Sequence, residues 1–260
     1  HSFTDPDWID ELGSNPMIAG KGYAIRTPKA GTWPNEEVVS FPYTQKVKFI
    51  GVPNNGDYTY IGISNNKSYL LGNPYPSAID ADAFLNENHL ILDGTIYFWT
   101  HNTSITPSGA FFFFYYNDYA SYNLTGGTGT TAAATSISGV NFSVPSGKIA
   151  AGQSFFATGK GTGNVLFTND MREVGGGVLG NNSQFFRTSK AKSKTSTAIE
   201  KNRVWLNLYN NEGAFKQALI GYVTGATNAY DSGYDGESFD GNEFVDFYSV
   251  NQDRNLVIQG

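Results

Sequence analysis

The 260-residue chain contains no cysteine. That excludes disulfides, thiol catalysis, iron–sulfur clusters and cysteine zinc sites in one step, and it leaves core burial, with or without a bound cation, as the source of stability. Charge is also scarce. Lysine and arginine number 17 and aspartate and glutamate 23, for a net charge of −6; the basic residues form no long stripe, so the electrostatic footprint of a nucleic-acid binder is missing. No apolar run reaches the ~20 residues that a membrane-spanning helix needs, and the longest, Ala110 to Tyr116, is too short even for a signal-peptide core. Membrane insertion is therefore not expected. His89 and His101 lie in no Glu-x-x-His or Gly-x-Ser-x-Gly pattern, and no segment repeats at a fixed period, which disfavours a solenoid or propeller.

What the chain has instead is aromatic residues, 15% of the total with 16 Tyr and 19 Phe, in a background of Gly, Asn, Ser and Thr. That profile favours strands and tight turns over long helices. Short apolar or alternating runs bounded by Gly, Asn, Asp or Pro recur along the chain. Val47 to Val52 and Tyr58 to Ile63 flank Pro53-Asn54-Asn55-Gly56-Asp57, which predicts a hairpin with positive φ at its turn. Thr95 to Thr100 and Ala110 to Tyr116 predict a second pair, and its four consecutive phenylalanines require a strand covered on both faces. Further strands are expected at Gln153 to Thr158, Asn164 to Thr168, Arg203 to Tyr209, Gln217 to Val223, Phe244 to Val250 and Leu256 to Gln259. Alternation makes the Arg203 strand half-buried, with Val204, Leu206 and Leu208 on one face.

One short helix is expected over Ala81 to Asn86, capped by Ser77 with Asp80 three positions on. Thr125 to Gly139, Gly175 to Asn182 and Thr188 to Ala198 read as mobile loops; Lys190, Lys192 and Lys194 in the last read as a solvated face. The expected fold is an all-β antiparallel sandwich of jelly-roll type with one short helix and long loops. At this length a single domain over 1–260 is expected, with a subdivision near 125–140 as the alternative. His1-Ser2-Phe3 is neither an initiator nor a signal sequence, so the chain is expected to be part of something longer, with either end a cut edge.

The acidic segment Asp231 to Asn242 is the best metal candidate. Calcium takes six to eight hard oxygens, and Asp231, Asp235 and Asp240 on Gly-hinged turns, completed by Glu243 and Asp246, supply that chemistry. Their spacing is not that of an EF-hand, and the alternative is a pair of Asp-Gly turns in which each carboxylate binds its own backbone. Sugar recognition would draw on aromatic faces. Trp33, in the exposed turn Gly31-Thr32-Trp33-Pro34-Asn35, Trp99 and His101 are the candidate ligand-binding residues, though β-sandwich cores use the same residue types. No catalytic constellation is visible. A carboxylate pair that meets only in the fold would leave no spacing signal, so an enzyme would reveal itself as a cleft with two close carboxylates, one with a raised pKa.

Leu71-Gly72-Asn73-Pro74-Tyr75-Pro76-Ser77-Ala78-Ile79-Asp80 fixes an unusual backbone path between two aromatic-rich segments. Together with Gly20-Lys21-Gly22-Tyr23, Asn54-Asn55-Gly56-Asp57, Tyr97-Phe98-Trp99-Thr100-His101, Ala226-Thr227 and Leu256-Val257-Ile258-Gln259-Gly260, it resembles a region near the C-terminus of large secreted surface proteins of Bacteroidota. The resemblance spans nearly the whole chain. It implies export by the type IX secretion system, with that machinery as partner, a cell-surface location and an adhesin-like or gliding-associated role without catalysis. Its motif residues are glycine, proline and aromatic positions, suited to turns and packing. A calcium-dependent carbohydrate-binding module, or part of a polysaccharide-active enzyme, is the alternative expectation.

Overall fold

The structure, a computed structural model, describes residues 1–25, 50–100, 107–108, 111–112, 119–130, 143–172, 201–211, 215–238 and 245–260. In chain order these give β1 (Ser2–Thr4), β2 (Asp7–Ile9), β3 (Tyr58–Ile63), β4 (Ser68–Gly72), β5 (Ile79–Asp80), α1 (Ala81–Glu87) and β6 (Leu92–Trp99). There follow β7 (Pro107–Ser108), β8 (Phe111–Phe112), β9 (Tyr119–Tyr122), β10 (Gly127–Thr128), β11 (Lys148–Ile149), β12 (Ser154–Gly159) and β13 (Gly163–Phe167). The last elements are β14 (Lys201–Tyr209), β15 (Phe215–Val223), β16 (Gly236–Glu237), β17 (Ser249–Asn251) and β18 (Arg254–Gln259). The fold is all-β and mostly antiparallel, with one short helix and long connections, in agreement with the composition and the strand pattern.

Two five-stranded sheets organise it. The first runs β10-β9-β6-β12-β4, so that β6 is central; the second runs β14-β15-β18-β16, with β17 also on β18. Only β15 and β18 pair in parallel among the described strands. The main core lies against one face of the first sheet. Period-2 alternation turns Phe155 and Ala157 of β12 inward with Leu92, Ile96 and Phe98 of β6. The helix adds Ala81, Phe84 and Leu85, spaced i, i+3 and i+4. Phe84 meets Phe155 edge-on at 5.3 Å and Phe167 at 5.1 Å. Each such buried ring stabilises the fold by about 1.5–3 kcal/mol.

Several of the segments that carry the resemblance gather around this core, while Leu256 to Gln259 lie in the second sheet. Asn73 is buried; its Nδ2 donates to the carbonyls of Ser77, Ile149 and Ala150, and its Oδ1 accepts from Tyr75 N–H. Tyr75 donates its hydroxyl to Gly56 O at 2.8 Å, and Asn54 donates to Pro74 O at 2.8 Å, tying the Asn-Asn-Gly turn to the Asn-Pro-Tyr-Pro turn. Gly22 N–H donates to Leu70 O, and a Cβ on Gly22 would lie 2.5 Å from Leu71 O. Only glycine permits that approach.

Several sequence expectations are corrected. β3 pairs with β13; of the strand expected before the Asn-Gly turn, Ile50 to Val52 form no strand and 47–49 fall outside the described residues. Gly56 does adopt φ +91°, so the turn's local chemistry was legible while its partner was not. β6 pairs with β9 and β12, and β8 pairs with β7; Phe113 to Tyr116 lie outside the described residues. Ser77 does not cap the helix. Asp80 does, accepting from Ala83 N–H at 2.9 Å, while Ser77 Oγ accepts from Arg172. Residues 127–128 form a strand where a loop was expected, 131–139 lie outside the described residues, and the loops expected within 175–198 do too. The strand expected from Phe244 is confined to Ser249–Asn251. β14 is an edge strand rather than a half-buried one, with Val204, Trp205, Leu206, Leu208 and Tyr209 each at least 38% exposed.

Candidate functional site

The two sheets meet along β6. Gly94, at φ +97°, lies so close to Gly233, at φ +101°, that a Cβ on Gly94 would sit 2.3 Å from Gly233 Cα. Both positions favour glycine for their backbone conformation, and Gly94 requires it for space as well. Leu124 N–H donates to Gly233 O, Thr95 Oγ1 to Asp235 O, Ser232 Oγ to Asp93 O, and Asn123 Nδ2 and Thr125 Oγ1 to Tyr234 O. The acidic segment is thus stitched onto the first sheet by its own backbone.

Asp235 holds this junction from inside. It is 1% exposed, and its carboxylate accepts from Asp231 N–H at 2.7 Å and from Gly260 N–H at 2.8 Å. Burial pushes its pKa above the usual carboxylate range, and the two N–H groups oppose that push. Asp231 accepts from Thr227 N–H. Asp246 pairs with Lys216 at 2.6 Å and accepts from Ser238 Oγ and Phe247 N–H. The structure therefore does not bring Asp231, Asp235 and Asp246 together around a point, and no group of three or more His, Asp or Glu side chains gathers among the described residues. Asp240 and Glu243 lie outside those residues.

Trp99 ends β6 and is 41% exposed, while Trp33 and His101 lie outside the described residues. Trp205 Nε1 donates to Gly127 O, and His89 contacts Asn86 O on the surface.

What the structure does assemble is a polar cleft of about 580 Å³ where β6 and β12 face the 230–238 segment. Asp93 and Tyr97, two positions on one face of β6 separated by Thr95, line its floor. Thr158 and Lys160 enter from the end of β12, Tyr230, Ser232 and Glu237 from the acidic segment, and Arg254 from β18. Burial pushes the Asp93 carboxyl up to about 6; Glu237 adds to the rise, and Thr95 N–H and Lys160 oppose it. Tyr230 is raised to about 12, first by burial and then by Asp93 and Glu237, and burial raises Tyr97 as well. Arg254 pairs with Glu237, its guanidinium carbon 4.1 Å from the Tyr230 ring centre, and Lys160 donates to Ser232 Oγ at 3.1 Å.

Sequence reasoning missed Asp93, Tyr97, Lys160, Tyr230 and Arg254. One signal was present: an acid, Asp93, set within the otherwise apolar and buried run of β6, where a carboxylate is costly unless it finds partners. No curated protein and no solved structure matches the chain. A family model described as a domain of unknown function, DUF8693, matches residues 3–260, and the chain belongs to that family.

Proposed function

We propose that the chain is a non-catalytic structural and adhesive module of a secreted, cell-surface protein of Bacteroidota, exported by the type IX secretion system. The observation that carries this reading is where the motif residues of the resemblance sit. Gly22, Asn54, Gly56, Asn73, Tyr75 and Gly260 all act through backbone geometry, close approach or hydrogen bonds to the backbone. A module that transmits load needs that kind of frame, with its turns locked to one another, more than it needs a reactive group. The composition accords with the same reading, since few charges and many aromatics suit a β-rich frame that achieves stability without disulfides.

The test uses the parent protein in a Bacteroidota cell. An epitope tag placed in it should be reached by external protease when type IX export operates, and should remain in the periplasm when export is disabled. Deleting residues 1–260 in frame should reduce attachment of the cells to surfaces while leaving polysaccharide hydrolysis unchanged. Unchanged surface delivery in the export mutant would sink the export part of the reading. Unchanged attachment would sink the adhesive part.

A further inference from the structure

We infer that the cleft between β6, β12 and the 230–238 segment is a binding site for an uncharged carbohydrate, held by Asp93, Tyr97, Lys160, Tyr230, Glu237 and Arg254. Asp93 lines the cleft, and among the described residues its carboxyl receives one hydrogen bond, from Thr95 N–H at 3.2 Å. A half-buried carboxyl with few donors among the described residues gains from any ligand that brings hydroxyl donors.

The charges around it limit what that ligand carries. Lys160 and Arg254 oppose a further cation, while Asp93 and Glu237 oppose an anion. Among the described residues two acids stand against two bases, so a neutral ligand rich in hydroxyls meets donors and acceptors without disturbing that balance. Nucleotides and other phosphate esters fail this condition. The partly exposed ring of Tyr230 adds apolar surface of the kind on which the C–H face of a sugar packs, and Arg254 stacked on Tyr230 holds a wall with fixed N–H groups. The volume, about 580 Å³, falls in the roughly 300–1,000 Å³ of small-molecule sites.

This site does not depend on the export reading, and the two fail separately: export is read in cells, whereas the cleft is read on the isolated chain. The experiment is calorimetric titration of the full chain with hexasaccharides of glucose, mannose, xylose and N-acetylglucosamine, beside galacturonate and glucosamine oligomers as anionic and cationic counterparts. At least one neutral oligomer should bind, and the charged oligomers should bind about tenfold more weakly or worse. Tyr230→Ala and Lys160→Met should each weaken that binding by about tenfold. Lys160 is an exposed rim residue, so Lys160→Met keeps the wild-type melting temperature and decides the matter even if Tyr230→Ala does not fold. A folded chain that binds none of the neutral oligomers overturns the proposal. So does preference for a charged oligomer, or an affinity that Lys160→Met leaves intact.

Discussion

The two five-stranded sheets are matched in strand number but not in what stands behind them. The first, with β6 at its centre, is backed by α1, by the Asn-Pro-Tyr-Pro turn and by a continuous cluster from Ile63 to Met171 that includes Phe84, Phe155 and Phe167. The second is backed, among the described residues, by Leu219, Val257 and Ile258, and its outer strand β14 is exposed on both faces. Burial is roughly proportional to stabilisation, so among the described residues the first sheet carries most of the hydrophobic driving force. The second is held to it largely through polar groups, at the Gly94–Gly233 contact and around Asp235. The cleft therefore lies at the seam between a rigid half and a less well-packed one.

Truncating the first core should have the largest effect. Phe84→Ala removes a fully buried ring that touches two others and should cost about 3–5 kcal/mol. Leu219→Ala, in the second cluster, should cost less, about 2–3 kcal/mol. Denaturant titration checks the order. If the two variants lose equal stability, or Leu219→Ala loses more, the contrast between the halves is wrong.

Next comes the seam. Asp235→Ala strands the N–H groups of Asp231 and Gly260 and should cost about 2–4 kcal/mol. The loss should be the same in calcium and in chelator, because the carboxylate is engaged by backbone. A loss seen only with calcium present would instead make Asp235 a metal ligand.

These residues also show how much was legible in advance. The alternation of Phe155 and Ala157, and the apolar runs of β13, β15 and β18, sit in sequence as they sit in space, since a strand's period is local. The partner of β3 was hidden, because turn chemistry at Asn55-Gly56 reports a bend and not which strand lies alongside. Asp80 was seen beside the helix but given the wrong role: its place as N-cap follows from β5 ending there, and β5 exists only because β11 arrives from far along the chain. Likewise the cleft needs the end of β12, the 230–238 segment and β18 to converge on β6, so no spacing in the sequence announces it.

Asp93 provides the third test, with the opposite sign. Its native pKa of about 6 lies above the unfolded value, so between about pH 4 and pH 6 the folded chain holds more protons and loses stability as pH rises. Above that window the charged, desolvated carboxyl costs up to about 3 kcal/mol. Asp93→Asn keeps an acceptor for Thr95 N–H, so it should stabilise the chain at pH 7 by up to that amount and leave it nearly unchanged at pH 4. Paired denaturation curves from pH 4 to pH 8 measure the difference between variants, which removes the other titrating groups. Parallel curves would mean that Asp93 is as well solvated folded as unfolded, and the seam would then be no place of stored electrostatic cost.

The smallest effect probes the rim of the well-packed half. Asp80 does two things: Oδ1 caps α1 through Ala83 N–H, and Oδ2 pairs with Lys148 at 2.6 Å. Asparagine is as good a cap as aspartate, so Asp80→Asn isolates the ion pair, which is partly exposed and should be worth less than about 1 kcal/mol. Asp80→Ala removes both and should cost about 1–2 kcal/mol. Added salt should narrow the gap between wild type and Asp80→Asn but leave the gap between Asn and Ala, because screening acts on the pair and not on the cap. If Asn proves as harmful as Ala, the ion pair and not the cap positions the helix. The first core would then owe its seven-residue helix to β11 and Lys148, and even the rigid half would depend on charge at its edge.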